Sequence, residues 1–204
     1  MTVVDEQIAS NAGDGHEYGP DTSWKGNGYD SDGWALGFAV ATDSRCDAGL
    51  VFEGVAVPNA ATIDVAYLEI FAKWQGSDVA NTPIAMKGFA EDNPSTFATD
   101  GSNRPSTRTK TTASVTQTLG TITDETFKQL DSIVTVVQEI VNRAGFVSGN
   151  NMGFVIEENA SASAQRGQFN DYNYSAANAA KLHIEYTSGG AAVKPKTLMT
   201  LGVG

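Results

Sequence analysis

The sequence predicts an all-β protein: a jelly-roll-like β-sandwich with one packed α-helix and flexible terminal arms. Three observations predict it. Short apolar runs recur with a period of two residues, clusters of Gly, Thr, Ser, Asn and Asp separate them, and a single segment carries a clear helical period. The 204 residues suffice for one well-buried domain, and sandwiches of this length often form just one.

Residues 1–33 are polar and Gly-rich and read as an N-terminal loop arm; residues 13–20 and 25–28 carry turn chemistry. The first strand signal covers 34–42. A second covers 48–57, with Leu50 and Phe52 on one face and Glu53 on the other, and Pro58 follows it. Residues 62–74 form the strongest strand. Ala66, Leu68 and Ile70 share one face, and Ile63, Val65, Tyr67 and Phe71 share the other. Apolar content on both faces predicts a central strand covered, at least in part, on both sides. A strand at 84–90 turns Met86 inward. The stretch 91–110, broken by Pro94, Gly101 and Pro105, reads as loop, and 111–119 resumes strand character.

The helix comes next. Asp131 caps it, Ile133, Val137, Ile140 and Val141 line one face, and Gly145 ends it. The β-branched Val134 and Val136 lower its propensity, so a strand stands as the alternative. Met152, Phe154 and Ile156 alternate with Gly153, Val155 and Glu157. Leu182, Ile184 and Tyr186 alternate with Lys181, His183 and Glu185, the cleanest period-two pattern in the chain. Between them, 159–180 reads as loop with a short strand near 166–169. The sandwich therefore spans 34–186, and 187–204 is a tail. The tail carries Lys194 and Lys196, then the apolar Leu198, Met199 and Leu201. It is either disordered or docked on a neighbouring subunit as an assembly tail.

Charge and composition exclude several functions. A net charge of −11 repels phosphate backbones and anionic membranes, so neither nucleic-acid binding nor membrane insertion is expected. No run approaches the roughly 20 apolar residues of a membrane span. Cys46 is the one cysteine, so no intramolecular disulfide forms. The first ten residues lack a basic stretch followed by an apolar run, which predicts synthesis in the cytoplasm without a cleaved leader.

The usual catalytic motifs are missing. His16 and His183 are the two histidines, with no His-Glu-x-x-His run and no paired cysteines to build a transition-metal site. There is no Gly-x-Ser-x-Gly elbow, P-loop or dinucleotide fingerprint. Glu157 and Glu158 point to opposite faces of a strand, which is unsuited to a glycosidase pair. The expectation is a protein that is not an enzyme. No cofactor is expected either, with calcium at Asp30 and Asp32 as the one candidate. These hard oxygen donors stand two apart beside Gly33, yet no Glu follows at the twelfth position, and the turn reading is favoured. The binding candidates are Trp24, Tyr29, Tyr172 and Tyr174, aromatic residues in predicted loops. They either stack on sugars and fill protein interfaces or cap the ends of the core.

One further pattern spans most of the chain. Leu50-Val51-Phe52, then Val57-Pro58-Asn59-Ala60-Ala61-Thr62-Ile63, then Ala66-Tyr67-Leu68-Glu69-Ile70 resemble the RF-x-IP-x-GATI-x-SA-x-L-x-F signature of DNRLRE-type modules. The resemblance continues through Glu91-Asp92-Asn93-Pro94 and Arg104-Pro105-Ser106-Thr107, through Val137-Gln138-Glu139-Ile140 and Gly145-Phe146, to Leu182-His183-Ile184. Val51 stands where the family has Arg, and Phe146 where it has Trp. The resemblance implies a jelly-roll-like sandwich with a helix across it, used for adhesion or assembly, with no catalytic residues to carry over. Similar domains occur in bacterial surface proteins and in structural proteins of tailed phages, and some act as carbohydrate-binding modules. The expected function is a virion structural protein of a tailed phage, a capsid decoration or fibre-like component, made in the host cytoplasm. Its partners would be other virion proteins or copies of itself in a homo-oligomer. The alternative is a glycan-binding module, extracellular or at the cell surface. A polysaccharide-degrading enzyme is a third reading.

Overall fold

The computed structural model describes residues 1–19, 23–26, 33–39, 44–75, 81–159 and 166–188. It is an all-β sandwich of two antiparallel sheets with one helix. The smaller sheet runs β1 (Thr2–Gln7), β12 (Lys181–Thr187), β6 (Thr62–Gln75), with the short β9 (Phe127–Gln129) on the far edge of β6. The larger sheet runs β11 (Arg166–Phe169), β4 (Trp34–Ala39), β5 (Ser44–Phe52), β10 (Met152–Glu158), β7 (Pro83–Phe89), β8 (Lys110–Thr118). β2 (Asp14–Gly19) pairs with β5, and β3 (Ser23–Gly26) pairs with β2.

β6 belongs to both sheets. Its residues from Thr62 to Glu69 pair with β12, and Ala72, Trp74 and Gln75 pair with β11. The apolar face predicted for it packs inward: Ala66, Leu68 and Ile70 are buried beside Leu182, Ile184 and Tyr186. Opposite them stand Leu50, Phe52, Ile84, Met86, Phe154 and Ile156 of the larger sheet, in one continuous core. A register shift between Glu185 and Tyr186 places Ile63 in that core too, against the simple alternation that put it with Val65 and Tyr67.

The helix, α1 (Val134–Val141), buries Val136, Val137, Ile140 and Val141 in the same core. Its ends differ from expectation. Ile133 occupies the N-cap without a side-chain cap, because the preceding segment pairs with β6: the Leu130 and Ile133 amides donate to the Leu68 and Ala66 carbonyls. The Asp131 amide is taken by the Gln117 carboxamide oxygen at 2.6 Å. Asn142 closes the helix, and Gly145 lies beyond it, where a Cβ would stand 2.0 Å from Asp92 Oδ2. Gln138 ties the helix to the start of β6, accepting from the Ile63 amide and donating to the Ala61 carbonyl. Glu139 accepts from the Thr112 and Ala113 amides and so blunts that stretch of the β8 edge.

The N-terminal region departs most from expectation. Residues 1–33 read as a loop arm, but the described part holds β1, β2 and β3. β1 is an edge strand whose one buried residue is Val4, so it lacks the apolar alternation that marks a strand in sequence. Between β1 and β2, Ile8 is buried and its amide donates to the Ala180 carbonyl, so the chain crosses from one sheet to the other fastened to the core rather than as a free arm.

The stretch 91–109 is mostly irregular, as expected, and it covers the outer face of the larger sheet. Phe97 is buried there with Val51, Phe89 and Val155. Gly49 makes room, since a Cβ at that position would lie 2.5 Å from the Phe97 ring. The Arg108 guanidinium sits 4.7 Å from the Phe89 ring centroid and 5.1 Å from that of Phe97. It donates to the carbonyls of Asn103 and Ser95 and to the Glu91 carboxylate. Removing the ring by Phe97→Ala is expected to cost about 3–5 kcal/mol in urea unfolding, the range for a buried Phe. A loss below about 1 kcal/mol would show that this cover does not seal the sheet.

Candidate functional site

The two outer sheet faces differ. On the larger sheet, the strand register sets Glu17, Asp47 and Glu157 in one row across β2, β5 and β10. Every carboxylate in this row has protein partners. Glu17 accepts from Ser106 and lies 3.3 Å from Arg104. Asp47 meets Arg45 at 3.0 Å and accepts from the Glu158 amide. Glu157 bridges Lys87 at 2.7 Å and Lys110 at 2.9 Å. Burial raises Glu17 and Asp47 from the ordinary carboxylate value despite these partners, and a neighbouring charge adds to it, that of Asp47 for Glu17 and that of Glu157 for Asp47. Burial also works on Glu157, but its two lysines outweigh it and hold the group low. This face is a satisfied ionic network beneath a loop.

The outer face of the smaller sheet is open. Asp5 on β1, His183 on β12 and Tyr67 on β6 are cross-strand neighbours in one row. The His183 and Tyr67 rings stack at 4.6 Å with an interplanar angle of 21°. His183 Nδ1 lies 2.6 Å from Asp5 Oδ1, and its Nε2 lies 3.3 Å from Glu185 Oε1. Burial alone would pull this imidazole down. The hydrogen bonds and charges of Asp5 and Glu185 outweigh burial and hold it above the ordinary histidine value. A neighbouring row brings Gln7, Lys181 and Glu69 together across the same three strands. Together these residues line a shallow groove of about 390 Å³. It offers a flat ring and several hydrogen-bonding groups, the makings of a recognition surface.

The residues singled out from sequence fall in different places. Tyr29, Asp30, Asp32, Leu198, Met199 and Leu201 lie outside the described residues. Trp24 falls in β3, paired in register with Glu17, rather than in a loop. Tyr172 is half-buried against the core, and its amide donates to Asp14 Oδ2 at 3.0 Å. Tyr174 is 49% exposed, and Lys73 Nζ stands 3.6 Å from its ring centroid. His16 sits on a strand, not in a loop. It and Asp14 oppose the core residues Ala48 and Leu50, whereas Glu17 points to the other face. Among the described residues no group of three or more His, Cys, Asp or Glu side chains could hold a metal ion.

Asp5 and Gln7 carry no signal in the sequence, because their strand buries only Val4 and shows no apolar alternation. The sequence places His183 on the surface beside Glu185, where it is, without its stack on Tyr67. The fold and this face define a β-sandwich with one sealed and one open sheet surface. No protein-family model matches the chain, and no curated protein is similar to it in sequence.

Asp14 and His183, like Glu17 and Asp47, give the fold a pH dependence of the same sign. Burial, reinforced by the charge of Asp171, holds Asp14 well above the usual carboxylate range; the Tyr172 amide offsets this only in part. Groups with a raised folded-state pKa favour the native state below their unfolded value, about 3.9 for Asp and 6.5 for His, and that contribution is lost as pH rises through the folded value. In thermal unfolding, His183→Gln is expected to flatten the fall in stability above pH 6.5. Asp14→Asn, which keeps an acceptor for Tyr172, is expected to gain stability over the unmodified chain as pH rises from 4 to 8. Parallel pH profiles for a variant and the unmodified chain would contradict that assignment.

Proposed function

We propose that the chain is a non-catalytic binding and assembly module: a jelly-roll-like structural component of a tailed-phage virion, a capsid decoration or fibre-like protein. In this reading it is made in the host cytoplasm, carried on the virion, and partnered by other virion proteins or by copies of itself. The observation that carries the reading is the asymmetry of the two outer faces. One is closed by residues 91–109 and internally paired charge, and the other presents a groove with Tyr67 and His183 at its floor. The resemblance to DNRLRE-type adhesion and assembly domains supports it, as does a net charge of −11 that turns away nucleic acid and anionic membranes. No cofactor enters the reading, and calcium at Asp30 and Asp32 is kept as the one ion to test.

A second reading is favoured by the composition of the groove. A flat aromatic ring beside Asp5, Gln7, Glu69 and Lys181 suits a sugar, which offers an apolar face for stacking and hydroxyls for pairing. This would make the chain a glycan-binding module, extracellular or at a cell surface.

Light scattering after size exclusion separates the two. The assembly reading expects a defined oligomer for the full chain and a monomer for a chain ending at Ser188. Monomers in both cases would remove it. A glycan-array signal abolished by Tyr67→Ala would then support the second reading.

A further inference from the structure

The groove on the open face of the smaller sheet carries more acids than bases. Asp5, Glu6 and Glu69 line its groove, and Glu185 flanks His183. The one lysine of the groove is drawn aside, since Lys181 Nζ lies 3.8 Å from the centroid of the Phe127 ring. Tyr67 contributes a ring face of the kind that attracts ammonium groups. Beside the groove, β1 is paired with β12 alone among the described strands, leaving its other edge open, and Val3 on it is 51% exposed. The surface therefore matches an extended, basic segment with apolar residues close behind its charges.

The chain contains such a segment. Residues 189–204 carry Lys194 and Lys196 and no acidic side chain. Pro195 between the lysines biases the backbone towards extended conformations. Leu198, Met199 and Leu201 follow within five residues. We propose that this tail docks into the acidic groove of a neighbouring copy of the chain, Lys194 and Lys196 against Asp5, Glu6 and Glu69, with the apolar residues along the open β1 edge. The inference rests on the assembly reading above and names its joint.

Reach favours a neighbour over the tail's own groove. β12 runs from the groove at Lys181 to Thr187 at its far end. Returning from Ser188 to the level of Leu182 covers about 20 Å of strand. Six residues, the distance in sequence from Ser188 to Lys194, span about 20 Å only when fully extended, so Lys196 has length for the reversal but the two lysines cannot both return to the groove of their own chain. A tail entering from another copy has no such limit. The contact is either exchanged reciprocally in a two-fold dimer or passed head to tail around a ring or along a filament.

Charge reversal in the full chain tests the joint. One variant carries Lys194→Glu and Lys196→Glu, a second Glu6→Lys and Glu69→Lys, and a third all four changes. Each pair alone is expected to weaken self-association by about ten-fold or more, and the combination to restore it. Restoration by all four changes shows that both pairs of variants fold. If the tail reversal leaves the mass of the oligomer unchanged, or the four changes together rescue nothing, the groove is not the tail's site. If the unmodified chain is itself monomeric at every concentration, the assembly reading fails along with the joint.

Discussion

The pairing of β6 with β12 along its first half and with β11 along its second holds the two sheets face to face. A strand of 14 residues cannot serve both sheets without bending, and the bend sets which residues face inward. The register shift opposite Tyr186 adds Ile63 to the core. The far edge of the same strand receives the segment from Glu125 to Ile133, whose pairing delivers α1 to the side of the sandwich. Gln138 then fixes the helix back onto the start of β6. Helix, both sheets and the floor of the groove are all referred to this strand, because Tyr67 lies on its outward face, directly behind the core residues Ala66 and Leu68.

The difference between the two outer faces follows from what each strand carries. On the larger sheet, glycine at position 49 lets Phe97 approach the backbone, and Arg108 fastens the covering loop through the carbonyls of Ser95 and Asn103. The acids beneath it are matched by Arg45, Arg104, Lys87 and Lys110, since burying unmatched charge would be costly. On the smaller sheet the acids outnumber the bases, and they stay near water, where excess charge is cheap to keep. An excess of one sign at an accessible surface steers an oppositely charged partner, and this is what the proposed joint uses.

The fold was legible in sequence wherever one side of a strand is apolar. Met152, Phe154 and Ile156 and the alternation from Lys181 to Tyr186 marked β10 and β12, and both form as expected. The edge strands escaped, since β1 buries only Val4 and β2 turns Asp14 and His16 inside and buries Glu17 beneath the loop on its other face. The helix limits were misplaced because the segment before the helix pairs with β6 through the Leu130 and Ile133 amides and because Asn142 closes the last turn before Gly145 is reached. The groove was hardest to foresee. Asp5 and His183 lie 178 residues apart in sequence, and only the β1–β12 register brings them within 2.6 Å. Tyr172 and Tyr174 were visible as aromatics, but nothing local told which would be buried. The difference is that Tyr172 packs against the core, whereas the Tyr174 ring lies outside it beside Lys73.

The account stands or falls on β1 being part of the sandwich, for that strand carries Asp5 and Gln7, one wall of the groove. Amide hydrogen exchange of the full chain measures this directly. In an edge strand about half of the amides point to the partner strand. The account predicts that this half of residues 2–7, together with the Ile8 amide bonded to Ala180, exchanges as slowly as the amides of β12. Exchange of residues 2–8 at the rate of an unstructured segment, with β12 still protected, would contradict it and remove the groove with it.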